Sequence, residues 1–126
     1  MRGGKMYTEK YHRIPKAVHH QCMWIVRDID RLYRLDAIYR HGNRDDELVF
    51  YEDENCRCIR YEVMREASGK LDCIKEALKK VPEEYRIDLL DGIVDGSNPS
   101  VYAHENTWKK WRRVFICELA DKLKLI

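Results

Sequence analysis

The side chains with most to offer chemically stand near the end of the 126-residue chain, in Asn106, Lys109, Lys110, Arg112 and Arg113. Among them run Trp108, Trp111, Phe115, Leu119, Leu123 and Ile126, whose spacing of three and four predicts one helix with this stripe turned into a core. At about 100° per residue, Asn106, Lys109, Lys110 and Arg113 fall on the opposite side and Arg112 near the edge of the stripe. An amide matches the donor and acceptor pair on adenine, and cations match guanine edges or phosphates, all within the first two turns of the helix. The alternative is an ordinary solvated face, with Asn106 or Thr107 serving only as the helix N-cap. The tryptophans are flat enough to stack on bases, but their place on the apolar stripe assigns them to the core.

Other chemistry is thinly represented. His19, His20 and Cys22 invite a metal reading because residues 19 and 22 share a helix face, yet no fourth donor is near in sequence and Cys22 belongs to an apolar stripe. Cys56 and Cys58 are two apart, which on a helix points them to opposite sides. The chain has no phosphate-binding glycine loop, no HExxH helix and no GxSxG elbow. Glu83 and Glu84 are explained by the electrostatics of a helix start, and Asp88, Asp91 and Asp95 read as a solvated acidic side. No catalytic residue, metal site or cofactor is expected, and the protein is not read as an enzyme.

The elements that must position the cationic face are helices. Six glycines and three prolines are few, and 37% charged with 44% apolar residues suits amphipathic helices better than a many-turned sandwich. Residues 1–13 read as a basic arm. Pro15 and Lys16 open a helix carrying Val18, Cys22, Ile25, Ile29 and Leu32, expected to run to about Arg40 before Gly42. Asp45, Asp46 and Glu47 suit a second start, with Leu48 to Tyr51 irregular. Cys56, Ile59, Val63, Ala67, Leu71, Ile74 and Leu78 continue one long stripe that Ser68-Gly69 would kink or split. Val81-Pro82-Glu83-Glu84 opens a third helix to about Val94. The turn residues 95–99 follow, and Pro99 to Ala103 leave room for little more than one helical turn before the last helix. The expected fold is all-α, a long N-terminal helical hairpin (1–80) followed by a C-terminal helix-turn-helix (81–126).

Charge is uneven although the net is only +2. Residues 1–40 hold nine Lys/Arg and four Asp/Glu, residues 81–103 one and five, and residues 104–126 six and three, so local fields matter more than the total. The longest apolar run is Cys22 to Val26, too short for a membrane span, and no apolar stretch follows the basic start as in a secretory signal. Five cysteines without framework spacing fit reduced thiols in a reducing compartment, the cytoplasm, better than a disulfide scaffold.

Four segments carry a resemblance: Tyr11-His-Arg-Ile-Pro-Lys, Trp24-Ile-Val-Arg-Asp, Val81-Pro-Glu-Glu-Tyr-Arg and Glu105-Asn-Thr-Trp-Lys-Lys-Trp-Arg-Arg-Val-Phe-Ile. The chain resembles the RinA/ArpU-like phage transcriptional regulators over residues 10–38 and 81–126, and their C-terminal part is similar to promoter-binding region 4 of sigma factors. That resemblance implies a helix-turn-helix whose residues 104–113 enter the major groove. Asn106, Lys109, Lys110 and Arg113 would be contact candidates, with Trp108, Trp111 and Phe115 holding the helix to its support. The full interface set is His104, Asn106, Thr107, Lys109, Lys110, Arg112 and Arg113, and phosphate contacts are expected from Lys109, Lys110, Arg112 and Arg113. The implied partner is double-stranded DNA, with RNA polymerase and a second copy of the chain through the N-terminal helices as further candidates, and the implied function is transcriptional activation of phage or prophage genes. The competing readings are a small terminase-like packaging subunit or helical adaptor, and a redox or metal protein using His19, His20 and the cysteines.

Overall fold

A computed structural model describes residues 14–41, 54–96 and 105–126, with side chains from residue 62 onward in the middle stretch. Its elements are α1 (Lys16–Arg27), α2 (Ile29–His41), α3 (Glu54–Leu78), α4 (Glu83–Asp95) and α5 (Glu105–Lys122). The fold is all-α, and no strand occurs among the described residues. No helix among these residues is long and apolar enough to cross a membrane. The expected basic arm, the stop at Gly42, the start at Asp45–Glu47, the irregular stretch 48–51, the short helix at 99–103 and the side chains of Cys56 and Cys58 lie outside the described residues.

The chain divides into two compact units, residues 1–27 with 73–126, and residues 28–72. This grouping places α1 with α4 and α5. The single helix expected from Lys16 to Arg40 is likewise two, because α1 ends at Arg27 and α2 starts at Ile29. Asp28, between them, stands just before a helix start, where a carboxylate is favoured. Its two oxygens accept from Arg31, at 2.9 and 3.0 Å from Nε and 2.7 Å from Nη2.

In the first unit α1 packs on both α4 and α5, which also touch each other. Cys22 and Val26 of α1, Leu89 and Ile93 of α4, and Phe115, Ile116 and Leu119 of α5 are almost wholly buried, joined by Ile74, Ala77 and Val81. Burial, with Cys117 close by, pushes the Cys22 thiol up to about 11. Cys22, Cys73 and Cys117 are in no disulfide.

Each end of α4 is explained locally. Pro82 precedes it, and Arg86 ties the preceding turn by donating from Nε to the Val81 carbonyl at 2.8 Å. At its far end Gly96 adopts φ +70, a left-handed conformation that favours glycine. Arg27 donates from Nε to the Ile93 carbonyl at 3.1 Å, placing a cation on one of the carbonyls that helix geometry leaves without a partner.

The stripe expected on α5 needs correction. Trp108, Phe115 and Leu119 are buried, but Trp111 and Leu123 are half-buried and Ile126 is exposed. Every residue from Val114 to Ala120 is buried, Glu118 included. Two helices pack on this one segment, so it is covered nearly all round rather than along one stripe.

In the unit of residues 28–72, Leu32, Met64, Ala67 and Leu71 are buried. Met64 rather than Val63 fills the core, and Val63 is exposed. Ser68-Gly69 neither kinks nor splits α3. Instead the buried Ser68 hydroxyl donates to Asp36 Oδ1 at 2.6 Å, and Arg40 donates to the same oxygen at 2.7 Å and to Asp72 at 3.1 Å.

Two neighbouring substitutions should act in opposite directions. Ser68→Ala removes a buried donor from a carboxylate and should cost about 1–3 kcal/mol. Gly69 has nothing within 4 Å of where a Cβ would stand, so Gly69→Ala should gain about 1 kcal/mol from helix propensity. Urea unfolding of the two variants beside the wild type checks both signs.

Candidate nucleic-acid interface

The first two turns of α5 are built around an aromatic cluster. Trp108 meets Tyr85 of α4 edge to face, with centroids 5.1 Å apart and planes at 86°; Trp111 stacks on the same ring at 6.4 Å and 25°. Contacts of these geometries contribute about 0.5–1.5 kcal/mol beyond area burial. Both indoles are thus engaged by protein, as their stripe predicts. Ile14, before α1, packs with Trp111 against buried Val114 and Cys117.

Fixing the indole side inward leaves the opposite side out. Asn106, Lys109 and Lys110 are exposed, and Thr107, Arg112 and Arg113 are half-buried. Arg113 is therefore less open than the helical period predicts. Since α5 begins at Glu105, Asn106 and Thr107 both stand inside the first turn instead of capping it. His104 lies outside the described residues.

The cations differ in what they touch. Lys109 Nζ is 3.1 Å from Glu105 Oε2 in an exposed pair one turn apart, worth about 0.3–0.5 kcal/mol. Such a pair opens readily to a stronger anion. Lys110 Nζ lies 4.7 Å from the Trp111 ring centroid, a cation–π contact that sets the ammonium over the face of the indole. Arg112 is the exception, since its Nε is buried and donates to nothing.

The residues that invited a metal reading are spread by burial: Cys22 is in the core, His19 half-buried and His20 exposed. Among the described residues no three His, Cys, Asp or Glu side chains gather to hold a metal ion. The carboxylates of α4 point variously, with Asp91 and Asp95 exposed and Asp88 half-buried.

Sequence reasoning missed two residues here. Tyr85, the ring that both tryptophans share, is legible only as an aromatic in the first turn after Pro82. The pattern in sequence suggests His19 only as a metal ligand with His20 and Cys22, yet its imidazole is held below its ordinary range by burial, then by His20 and by Arg112. No local signal joins residues 19 and 112; only the packing of α1 on α5 does so.

No protein-family model, curated protein or solved structure matches this chain.

The state of His19 makes a prediction about stability. Its folded value lies below the ordinary 6.5, so folding favours the neutral ring. The contribution is complete above 6.5 and is lost as pH falls through the lower folded value, where the unfolded chain binds the proton more readily. Melting temperature should therefore drop between pH 7 and pH 5, and His19→Gln should flatten that part of the profile. An unchanged slope in the variant would contradict the assignment.

Proposed function

We propose that the protein is a sequence-specific DNA-binding transcriptional regulator, acting through α5 and without chemistry on its target. The observation that carries this reading is the division of α5. Its indoles are packed on Tyr85 while Asn106, Lys109 and Lys110 are exposed in its first two turns. Lys109, Lys110, Arg112 and Arg113 supply phosphate contacts that set register, and Asn106 supplies a base-edge contact, the adenine pairing suited to an amide. His104 and Thr107 complete the interface.

The resemblance to RinA/ArpU-like regulators adds the finer parts of the proposal. They are a sigma region 4-like helix-turn-helix over residues 81–126, an N-terminal helical hairpin that stiffens the chain or joins it to a second copy, and activation of phage or prophage genes in a bacterial cytoplasm with RNA polymerase as a further partner. Support for these parts comes from the four sequence segments and from α4 and α5 being in contact. The acidic α4, with Glu83, Glu84, Asp88, Asp91 and Asp95, disfavours a duplex lying along that helix and so favours approach from the side of Lys109 and Lys110.

Binding to duplex fragments from the protein's own genomic neighbourhood should weaken steeply with salt. Lys109→Ala or Lys110→Ala should lower the salt slope by about one and weaken all sequences alike. Asn106→Ala should cost about 1–3 kcal/mol on the preferred site and relax specificity at one position. Fluorescence anisotropy at several ionic strengths separates the two classes, and binding that ignores salt would overturn the proposal.

A further inference from the structure

Arg112 stands at the edge of the cationic face, where α5 turns from exposed to buried. A guanidinium does not give up its proton within the protein pH range, so a half-buried one keeps its charge together with its five donors. Its Nε is out of water and has no acceptor among the described residues. An unmet donor on a partly desolvated charge is costly, and the cost is removed by an oxygen acceptor, best an anionic one.

The neighbours increase that demand. α1 packs on α5, and its His19 is close enough to Arg112 for the guanidinium to disfavour a second positive charge there. His20 follows with its ring edge-to-face on His19, centroids 5.8 Å apart and planes at 80°. Among the described residues the charges acting on His19 are His20 on its own helix and Arg112 on α5, and no group of α4 is among them. Three nitrogen-bearing groups from two helices thus act on one another, and among the described residues no carboxylate is a cause of the shift at His19.

We propose that His19 and His20 of α1 and Arg112 of α5 form a phosphate-oxyanion site on the flank of the α5 cationic face. Arg112 donates through its guanidinium, and each imidazole, once protonated, has a donor at both ring nitrogens. An oxyanion seated there reverses the balance at His19: the negative charge favours the imidazolium that burial, His20 and Arg112 oppose. The phosphate has two sources, the backbone of a bound duplex or free inorganic phosphate. The duplex source rests on the regulator reading above; it makes α1 a second contributor to the interface and makes affinity rise as pH falls.

The test uses the full chain, following the His19 and His20 ring resonances by NMR through a pH titration alone, with inorganic phosphate and with a short duplex. Duplex affinity is measured in parallel at pH 7.5 and pH 5.5. The site predicts that phosphate raises the His19 pKa, each unit of which strengthens binding about tenfold at low pH. Duplex affinity should rise several-fold on acidification in the wild type and stay level in His19→Gln. Arg112→Gln, checked by melting, should abolish the response of His19 to phosphate. A His19 titration indifferent to both inorganic phosphate and duplex overturns the site. Duplex binding that leaves His19 unmoved overturns it too, while sparing the regulator reading. A response to inorganic phosphate in a chain that binds no duplex supports the oxyanion site and overturns the regulator.

Discussion

Burial of α5 between Val114 and Ala120 is the constraint from which the rest of its unit follows. Seven consecutive residues lose contact with water because α1 and α4 pack on the same helix. A helix buried on every side in its middle cannot rotate about its axis without breaking contacts throughout. Its rotation therefore fixes what its first turns present. Trp108 and Trp111 are carried onto Tyr85, and Asn106, Lys109 and Lys110 are carried outward by the same geometry. The exposed face needs no stabilisation of its own, since it is what packing elsewhere leaves over.

Electrostatics then grades the exposed and edge cations. Lys109 is held by a carboxylate one turn away, Lys110 by an indole and Arg112 at Nε by nothing. The first two interactions are weak enough for a phosphate to displace, and the third leaves a donor unmet. Elsewhere in the same unit the exposed Arg27 shows the contrasting case. Its Nε is bound to a carbonyl near the end of α4 and its guanidinium lies 5.3 Å from the Trp24 ring centroid, so it serves structure. Identical residue types thus do different work according to which helix end or ring they meet.

Much of the fold was legible in the sequence, where the signals are local. Pro82 and the acids after it mark the start of α4, and the three-and-four spacing marks α5 and the inward turn of both tryptophans. What escaped depends on contacts between distant residues. The break at Asp28 looked like continuous helical period because Ile25, Ile29 and Leu32 keep their spacing across it. The choice of Met64 over Val63 turns on a small rotation of α3 that periodicity does not resolve. Ser68-Gly69 read as a breaker because the acceptor that engages the serine, Asp36, is 32 residues away. At the candidate site the outward lysines and Asn106 were legible from period alone, whereas the half-burial of Arg113 and the approach of His19 to Arg112 were not, the latter because it depends on α1 packing on α5.

The central claim is that the exposed side of the first two turns of α5 meets a duplex. Acetylation of surface lysines, read by mass spectrometry with and without a bound duplex, tests it most directly. The account predicts that Lys109 and Lys110 become protected while Lys75 and Lys79 of the same protein label at unchanged rates. Equal labelling of Lys109 and Lys110 in the free and bound protein would contradict it.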